Sequence, residues 1–366
     1  MKKLSLIIIL LFIGQAVLAS SIDPLALGVG ARMVAMGRTA AADPGNINSI
    51  FVNPANAADL EGLGLTSMYT NLSEDISYTL LGGGNKTNFG NLGLAYLGST
   101  SGGFQLTTIE AGRVVGTGGS FDYSSSVICL VYGREYKKDL AFGASLKLFN
   151  KGFSSIAGGT GSGYNMDLGV IWKARPNLTI GLAQQNTLPA SVAPIKWGTG
   201  ASEGIPFNTK LGLNYVPREK ILLAADLNYA ANNPLNFHGG IEWKPIEWLA
   251  IRGGIDQVPT SSSQNNTNYT TGVGLSYKGF CFDYAYYYDT LLSSTNSAHF
   301  FSFSYQFASA PKKALPAPAV IQPKPEKEIK RPVRKTIEVP SVKKPLPKVK
   351  KPKPKIKKAE PPATKP

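Results

Sequence analysis

Phe301-Ser302-Phe303-Ser304-Tyr305-Gln306-Phe307 alternates ring and polar side chain without a break. In an extended chain, neighbouring side chains point to opposite faces, so this segment has one greasy face and one polar face. The same two-residue period recurs upstream. Phe207, Leu211, Leu213 and Tyr215 oppose Asn208, Lys210, Gly212 and Asn214, and Tyr164, Met166, Leu168, Val170 and Trp172 oppose Asn165 and Asp167. Between 63 and 307 no helix-sized apolar run interrupts the pattern.

Fourteen such segments can be drawn, at 63–72, 76–86, 90–98, 122–133, 139–150, 163–173, 177–187, 206–216, 219–230, 235–244, 247–256, 268–277, 280–289 and 297–307. Alternation alone also suits a soluble sandwich. The gaps discriminate. Those after even-numbered segments are brief and often basic, as at Arg134 to Lys138, Arg218 and Lys278-Gly279. Most of those after odd-numbered segments are long and rich in Gly, Ser, Thr and Asn, as at 99–121, 151–162, 188–205, 257–267 and 290–296. Short turns at one end and long loops at the other are the pattern of an outer-membrane barrel. Trp172, Trp243, Trp248, Tyr277 and Phe280 cluster beside the short turns, where an interfacial aromatic girdle belongs. The expected fold is all-β, a transmembrane antiparallel barrel of about fourteen strands over 63–307. In barrels of this kind a final strand ending on alternating aromatics serves as the signal for the assembly machinery, which assigns that role to Phe301, Phe303, Tyr305 and Phe307.

The ends of the chain differ in character. Lys2 and Lys3, the apolar run Leu4 to Ile13 and the small-residue stretch ending at Ala19 form an expected signal peptide over 1–19, too short to anchor in a bilayer. The formal charge of +15 is concentrated at the other end. Residues 308–366 carry 18 basic and 4 acidic side chains, whereas 20–307 carry 18 and 19. The high pI thus gives no case for nucleic acid as a partner. That same 59-residue tail holds 14 of the 25 prolines. Like charges repel and proline fixes φ, so an extended, disordered spacer is expected there, on the periplasmic side. Cys129 and Cys281 fall on segments far apart around the barrel, so no disulfide is expected.

Residues 20–62 precede the barrel without alternating. They contain Gly30-Ala31-Arg32, Met36-Gly37 and, further on, Asn53-Pro54-Ala55. In front of a fourteen-strand secreted barrel, this combination resembles the PorV/PorQ family of outer-membrane proteins, related to the FadL-type long-chain fatty-acid transporters. The resemblance implies that 20–62 is a hatch folded into the lumen and that Asn53, Pro54 and Ala55 belong to it. Arg38-Thr39 departs from the small residues the pattern leads one to expect. The resemblance also implies a partner role in protein export or surface attachment, with secretion components as partners. The FadL relationship implies the alternative, passive uptake of hydrophobic molecules such as long-chain fatty acids. A third reading takes the basic tail as a tether to peptidoglycan.

Catalytic chemistry has little to rest on. His299 shares the lipid-facing register of Phe301, and His238 points inward with no nucleophile motif beside it. Gly82-Gly83-Gly84 and Gly158-Gly159-Thr160-Gly161 lack a following Gly-Lys-Ser/Thr, so they are not phosphate loops; the first reads as wall close to a bulky hatch. No cluster has metal-ligand spacing, and neither a metal nor another cofactor is expected. Parity places Lys147, Asp167, Lys210, Asp226, His238, Glu242, Arg252, Asp256 and Asp283 on the inward face. Charges there need partners, so they are expected to bond to the hatch and to one another.

Overall fold

A computed structural model describes residues 25, 28–73, 76–231, 233–291 and 297–307. The expected signal peptide and the basic tail lie outside these residues. Sixteen strands form: β1 (Gly64–Ser73), β2 (Ile76–Asn85), β3 (Asn91–Glu110), β4 (Arg113–Lys137), β5 (Leu140–Phe153), β6 (Thr160–Arg175), β7 (Leu178–Gln185), β8 (Ile195–Trp197), β9 (Ser202–Glu203), β10 (Asn208–Arg218), β11 (Ile221–Ala230), β12 (Asn236–Ile246), β13 (Leu249–Ser261), β14 (Gln264–Tyr277), β15 (Phe280–Tyr288) and β16 (Ala298–Gln306). All but the short β8 and β9 pair in sequence order, and β1 pairs with β16 from Gly64↔Gln306 to Asn71↔His299. The sheet is therefore a closed antiparallel barrel of fourteen strands. Closure satisfies every edge, which a sheet in hydrocarbon must do.

Burial follows the two-residue period. On β2, Tyr78 and Leu80 are fully buried while Leu81 is 56% exposed; on β12, His238 and Glu242 are buried while Ile241 and Trp243 are exposed. The outer wall is thus a continuous band of Leu, Ile, Val and aromatic side chains, far larger than a water-soluble monomer tolerates. Trp172, Trp243, Trp248, Tyr277 and Phe280 all point outward at the short-turn end. Phe301 and Phe303 also face outward, and Tyr305 packs on Phe280 with ring centroids 4.2 Å apart.

Three stretches expected as loops are partly strand. Residues 99–121 continue β3 and β4 beyond the barrel as a hairpin closed at Ala111-Gly112, both with positive φ (51° and 77°). Two positive φ angles match the twist of the flanking strands. Thr107, Thr108, Ile109, Val114 and Val115 favour extended backbone, and the glycines around them hid that preference. At the base of this hairpin, Phe104 stacks on Phe121 at 5.3 Å, Phe121 meets Phe153 edge to face at 6.0 Å, and Phe153 stacks on Trp197 at 5.8 Å. Trp197 lies on β8, part of a small hairpin inside 188–205 that pairs with β6 at Gly161 and Ser162. Strands β13 and β14 likewise run on to Ser261 and Gln264, through most of 257–267.

The lumen is filled by the chain before β1. Helix α1 (Ala31–Ala35) packs against β13 to β16, and a 3-10 turn at Pro54–Asp59 packs against β3 to β6, on the other side of the barrel. Between them Val34, Ile50, Phe51 and Leu60 join Tyr78, Leu80, Leu97 and Phe300 in one buried apolar cluster. This segment is the hatch.

Candidate functional site

The hatch sits on glycine. Gly143 and Gly169 face each other across β5 and β6, Gly181 and Gly212 across β7 and β10, and Gly240 and Gly254 across β12 and β13. A Cβ added at any of these six would stand between 1.9 and 2.7 Å from a hatch atom. The tightest is Gly181, where the carbonyl oxygen of Ala41 occupies the side-chain space. Hatch backbone therefore lies directly on wall backbone. Gly82 and Gly84 do the same for side chains, giving room to Phe51 and to Leu60 and Ile47.

Polar groups lock the same contact. Asn53 is extended (φ −128°) before Pro54. Its Oδ1 accepts from Ala55 N at 3.1 Å, and its Nδ2 donates to Ala41 O at 2.6 Å and Val170 O at 3.4 Å. The Asn53-Pro54-Ala55 motif thus ties one hatch turn to another and to the wall. At the other motif, Gly30 takes a left-handed φ of 86° ahead of α1, and Ala31 N donates to Ser302 Oγ at 3.1 Å. Met36 closes the helix and Gly37 N donates to Thr270 Oγ1 at 3.2 Å, while that hydroxyl donates to Ala35 O at 3.1 Å.

Arg38 and Thr39, the departure from the family pattern, have definite work. Arg38 adopts a left-handed φ of 63°, Thr39 Oγ1 donates to Met36 O at 3.0 Å, and the Arg38 guanidinium lies 4.8 Å over the Tyr287 ring and 3.4 Å from Asp256. The cost of that backbone is held by the contacts around it.

The inward charges form connected networks. Arg32 reaches Asp43 at 2.6 Å and Glu242 at 2.9 Å, and Arg252 joins Glu242 and Asp283, each at 2.7 Å. Burial pulls the Arg32 pKa down, but Asp43 and Glu242 outweigh it and hold the group above its ordinary value. Asp226 accepts from the Ala40 and Ala41 amides at 2.9 and 3.0 Å. Asp256 accepts from His238 Nδ1 and the Tyr287 hydroxyl, each at 2.7 Å, and Tyr287 accepts in turn from Asn268. Lys147 and Asp167 pair at 2.8 Å, both wholly buried. Lys210 lines a cavity on the loop side of the hatch. Parity reasoning located these nine residues on the lumen face but not their partners. Thr270, Ser302, Tyr287 and Asn91, whose Nδ2 bonds three hatch carbonyls, were not singled out. Their only signal is a polar residue at an inward position. His299 points outward, bonded to the Tyr284 hydroxyl at 2.9 Å.

The loop-side cavity measures about 240 Å³. Its floor is hatch, including Met33, Arg38 and Val52, and its wall includes Lys210, Asn228, Asn236 and His238. No metal-binding group of His, Cys, Asp or Glu occurs among the described residues.

No protein-family model and no curated protein sequence matches this chain. Solved structures do. The toluene transporter TodX of Pseudomonas putida superposes with a TM-score of 0.58 at 14% identity, over 79% of this chain and 100% of that one. The chain shares the fold of that transporter. The Ralstonia pickettii toluene transporter TbuX gives 0.56 at 14% identity over 77% and 99%, and a Pseudomonas aeruginosa FadL homologue gives 0.54 at 10% over 79% and 100%.

Proposed function

We propose that this chain is a non-enzymatic, FadL-like barrel of the bacterial outer membrane that admits small molecules past its hatch. The observation that supports this best is the barrel fold shared with two solved toluene transporters, together with this chain's own hatch-filled lumen and a cavity of about 240 Å³ resting on the hatch from the loop side. Its volume is below the range of drug-sized sites, which suits a small solute. An apolar exterior and a buried, paired interior fit lipid outside and a gated route within. The test is transport by the full chain reconstituted in vesicles. Flux of at least one small solute above protein-free vesicles is the expected result; no flux across a panel of apolar and polar solutes would refute it.

A second reading, a PorV/PorQ-like partner in protein export or surface attachment, draws support from the hatch motif and from the glycine seat. A hatch packed backbone against backbone suits a barrel that docks a partner without passing solute. In that case vesicles stay tight while the protein co-purifies with secretion components from native membranes. The tail could add a peptidoglycan tether to either reading.

A further inference from the structure

At the long-loop end, β3 and β4 leave the barrel together and lose their other neighbours. Strand β2 accompanies β3 only as far as Ser101↔Ile76, and β5 joins β4 only from Tyr123↔Phe153. Among the described residues, 102–110 and 113–121 therefore pair with each other alone. A two-stranded ribbon in water is marginal and gains from a third strand. Its two edges differ. On β4, Thr117, Gly118 and Gly119 oppose Leu106 alone, and Gly118 takes a φ of 77°; such a bulge blunts an edge. On β3 the stretch Phe104-Gln105-Leu106-Thr107-Thr108-Ile109-Glu110 has no Lys, no Pro and no positive φ. Its hydrogen bonding can be assigned. Glu110 and Arg113 flank the two-residue turn and exchange bonds, so the alternate residues Thr108 and Leu106 also face β4. Leu106 O accordingly accepts from Thr117 Oγ1 at 3.0 Å. Gln105, Thr107 and Ile109 thus turn their backbone N–H and C=O groups away from β4, in a row spaced at about 6.8 Å.

We propose that the β3 edge of this hairpin, over 104–110, takes up an extended polypeptide strand of another protein, with basic residues at the ends of the docked segment. Whether the lumen conducts solute does not bear on it. Backbone donors and acceptors repeating at strand spacing match another backbone, and main-chain bonds give strand addition its affinity. Acidic groups stand at both ends of the row. Glu110 is exposed at the tip, and at the base lies the exposed Asp122, whose Oδ1 accepts from Gly103 N at 3.2 Å. Ile109, 75% exposed, and Val114 opposite it, 72% exposed, offer one apolar face for the added strand to extend. A second copy fits this edge poorly. Copies in one bilayer share an orientation and a height, so two β3 edges would run parallel with Glu110 opposite Glu110. Like charges directly opposite destabilise a strand pair. The antiparallel choice for a second copy is the bulged β4 edge.

The experiment is fluorescence anisotropy on the full chain in detergent with three short labelled peptides of alternating Thr and Val. One is flanked by Lys, one by Glu, and the third is the Lys form with every backbone amide N-methylated. The Lys-flanked peptide should bind at least about twofold more tightly than the Glu-flanked one, and the N-methylated form should not bind. Thr107→Pro removes one outward N–H and keeps the bonds to β4, a change that edge strands tolerate, and should weaken binding about tenfold. Where that variant fails to insert, the N-methylated peptide decides. Hydrogen exchange should show peptide-dependent protection greater in 104–110 than in 113–121. No binding of the Lys-flanked peptide, or equal binding of either other form, would overturn the proposal. So would binding that survives replacement of 102–121 by a Gly-Ser linker. Protection of 104–110 that rises with protein concentration in the absence of peptide would assign the edge to a second copy and overturn it too.

Discussion

Gly181→Val should unseat the hatch while leaving the barrel closed. A Cβ at Gly181 stands 1.9 Å from Ala41 O, and ordinary contact begins at 3.4 Å, so the Ala41 carbonyl must retreat by about 1.5 Å. That oxygen accepts from Asn53 Nδ2 at 2.6 Å, and the adjoining amides of Ala40 and Ala41 donate to Asp226 at 2.9 and 3.0 Å. A retreat of this size stretches all three. The two bonds to the carboxylate alone are worth about 3–6 kcal/mol together, since hydrogen bonds to charged groups contribute about 1.5–3 each. At 1.36 kcal/mol per tenfold, amide protection around Ala40 and Ala41 should fall by about 10²- to 10⁴-fold. Hydrogen exchange followed by mass spectrometry on the detergent-solubilised chain reads this directly. Gly253→Val is the control. It lies on the same wall with nothing nearer than 3.9 Å to an added Cβ, and should change nothing. Equal hatch protection in both variants would show that the glycine seat does not hold the hatch.

Other outcomes follow from the same structure. Lys147→Met removes the cation beside Asp167 in a wholly buried site and should cost about 3–5 kcal/mol, whereas adding Asp167→Leu should recover most of it; urea midpoints of the two variants check this, and equal losses would contradict it. Phe307→Asp should reduce membrane insertion, measured by heat-modifiable gel migration, while deletion of 308–366 should not. The isolated tail peptide, at 18 basic to 4 acidic residues, should co-sediment with purified peptidoglycan sacculi at low salt and be released at high salt; retention indifferent to salt would rule out an electrostatic tether.

Much of the wall was legible because a barrel repeats one local rule. Phe301 to Phe307 and Tyr164 to Trp172 state inside and outside residue by residue, and lipid enforces the rule over the whole circumference. The protruding hairpin was missed because Gly102-Gly103 and Gly118-Gly119 resemble loop, although the β-branched run between them prefers extended chain. Inside, parity located Asp226 and Asp256 but could not name what they bind. Ala31 N and Ser302 Oγ are 271 residues apart, and such a pairing exists only after the barrel closes. Arg38 shows the same limit. Its side chain departs from the hatch pattern, and its reason lies with Asp256 and Tyr287, more than 200 residues away.

The glycine seat also constrains the order of assembly. Wall glycines from β5 to β13 touch a hatch that precedes β1 in the chain, and the seam between β1 and β16 forms from the first and last strands. Backbone fitted this closely on several sides cannot be threaded in through a finished cylinder without prising its own contacts apart. The hatch therefore acts as a mandrel: the staves are laid around it, and the seam shuts last. On that account a chain lacking its hatch should close slowly or at the wrong girth, and selection on each glycine is selection on the fit between former and cask.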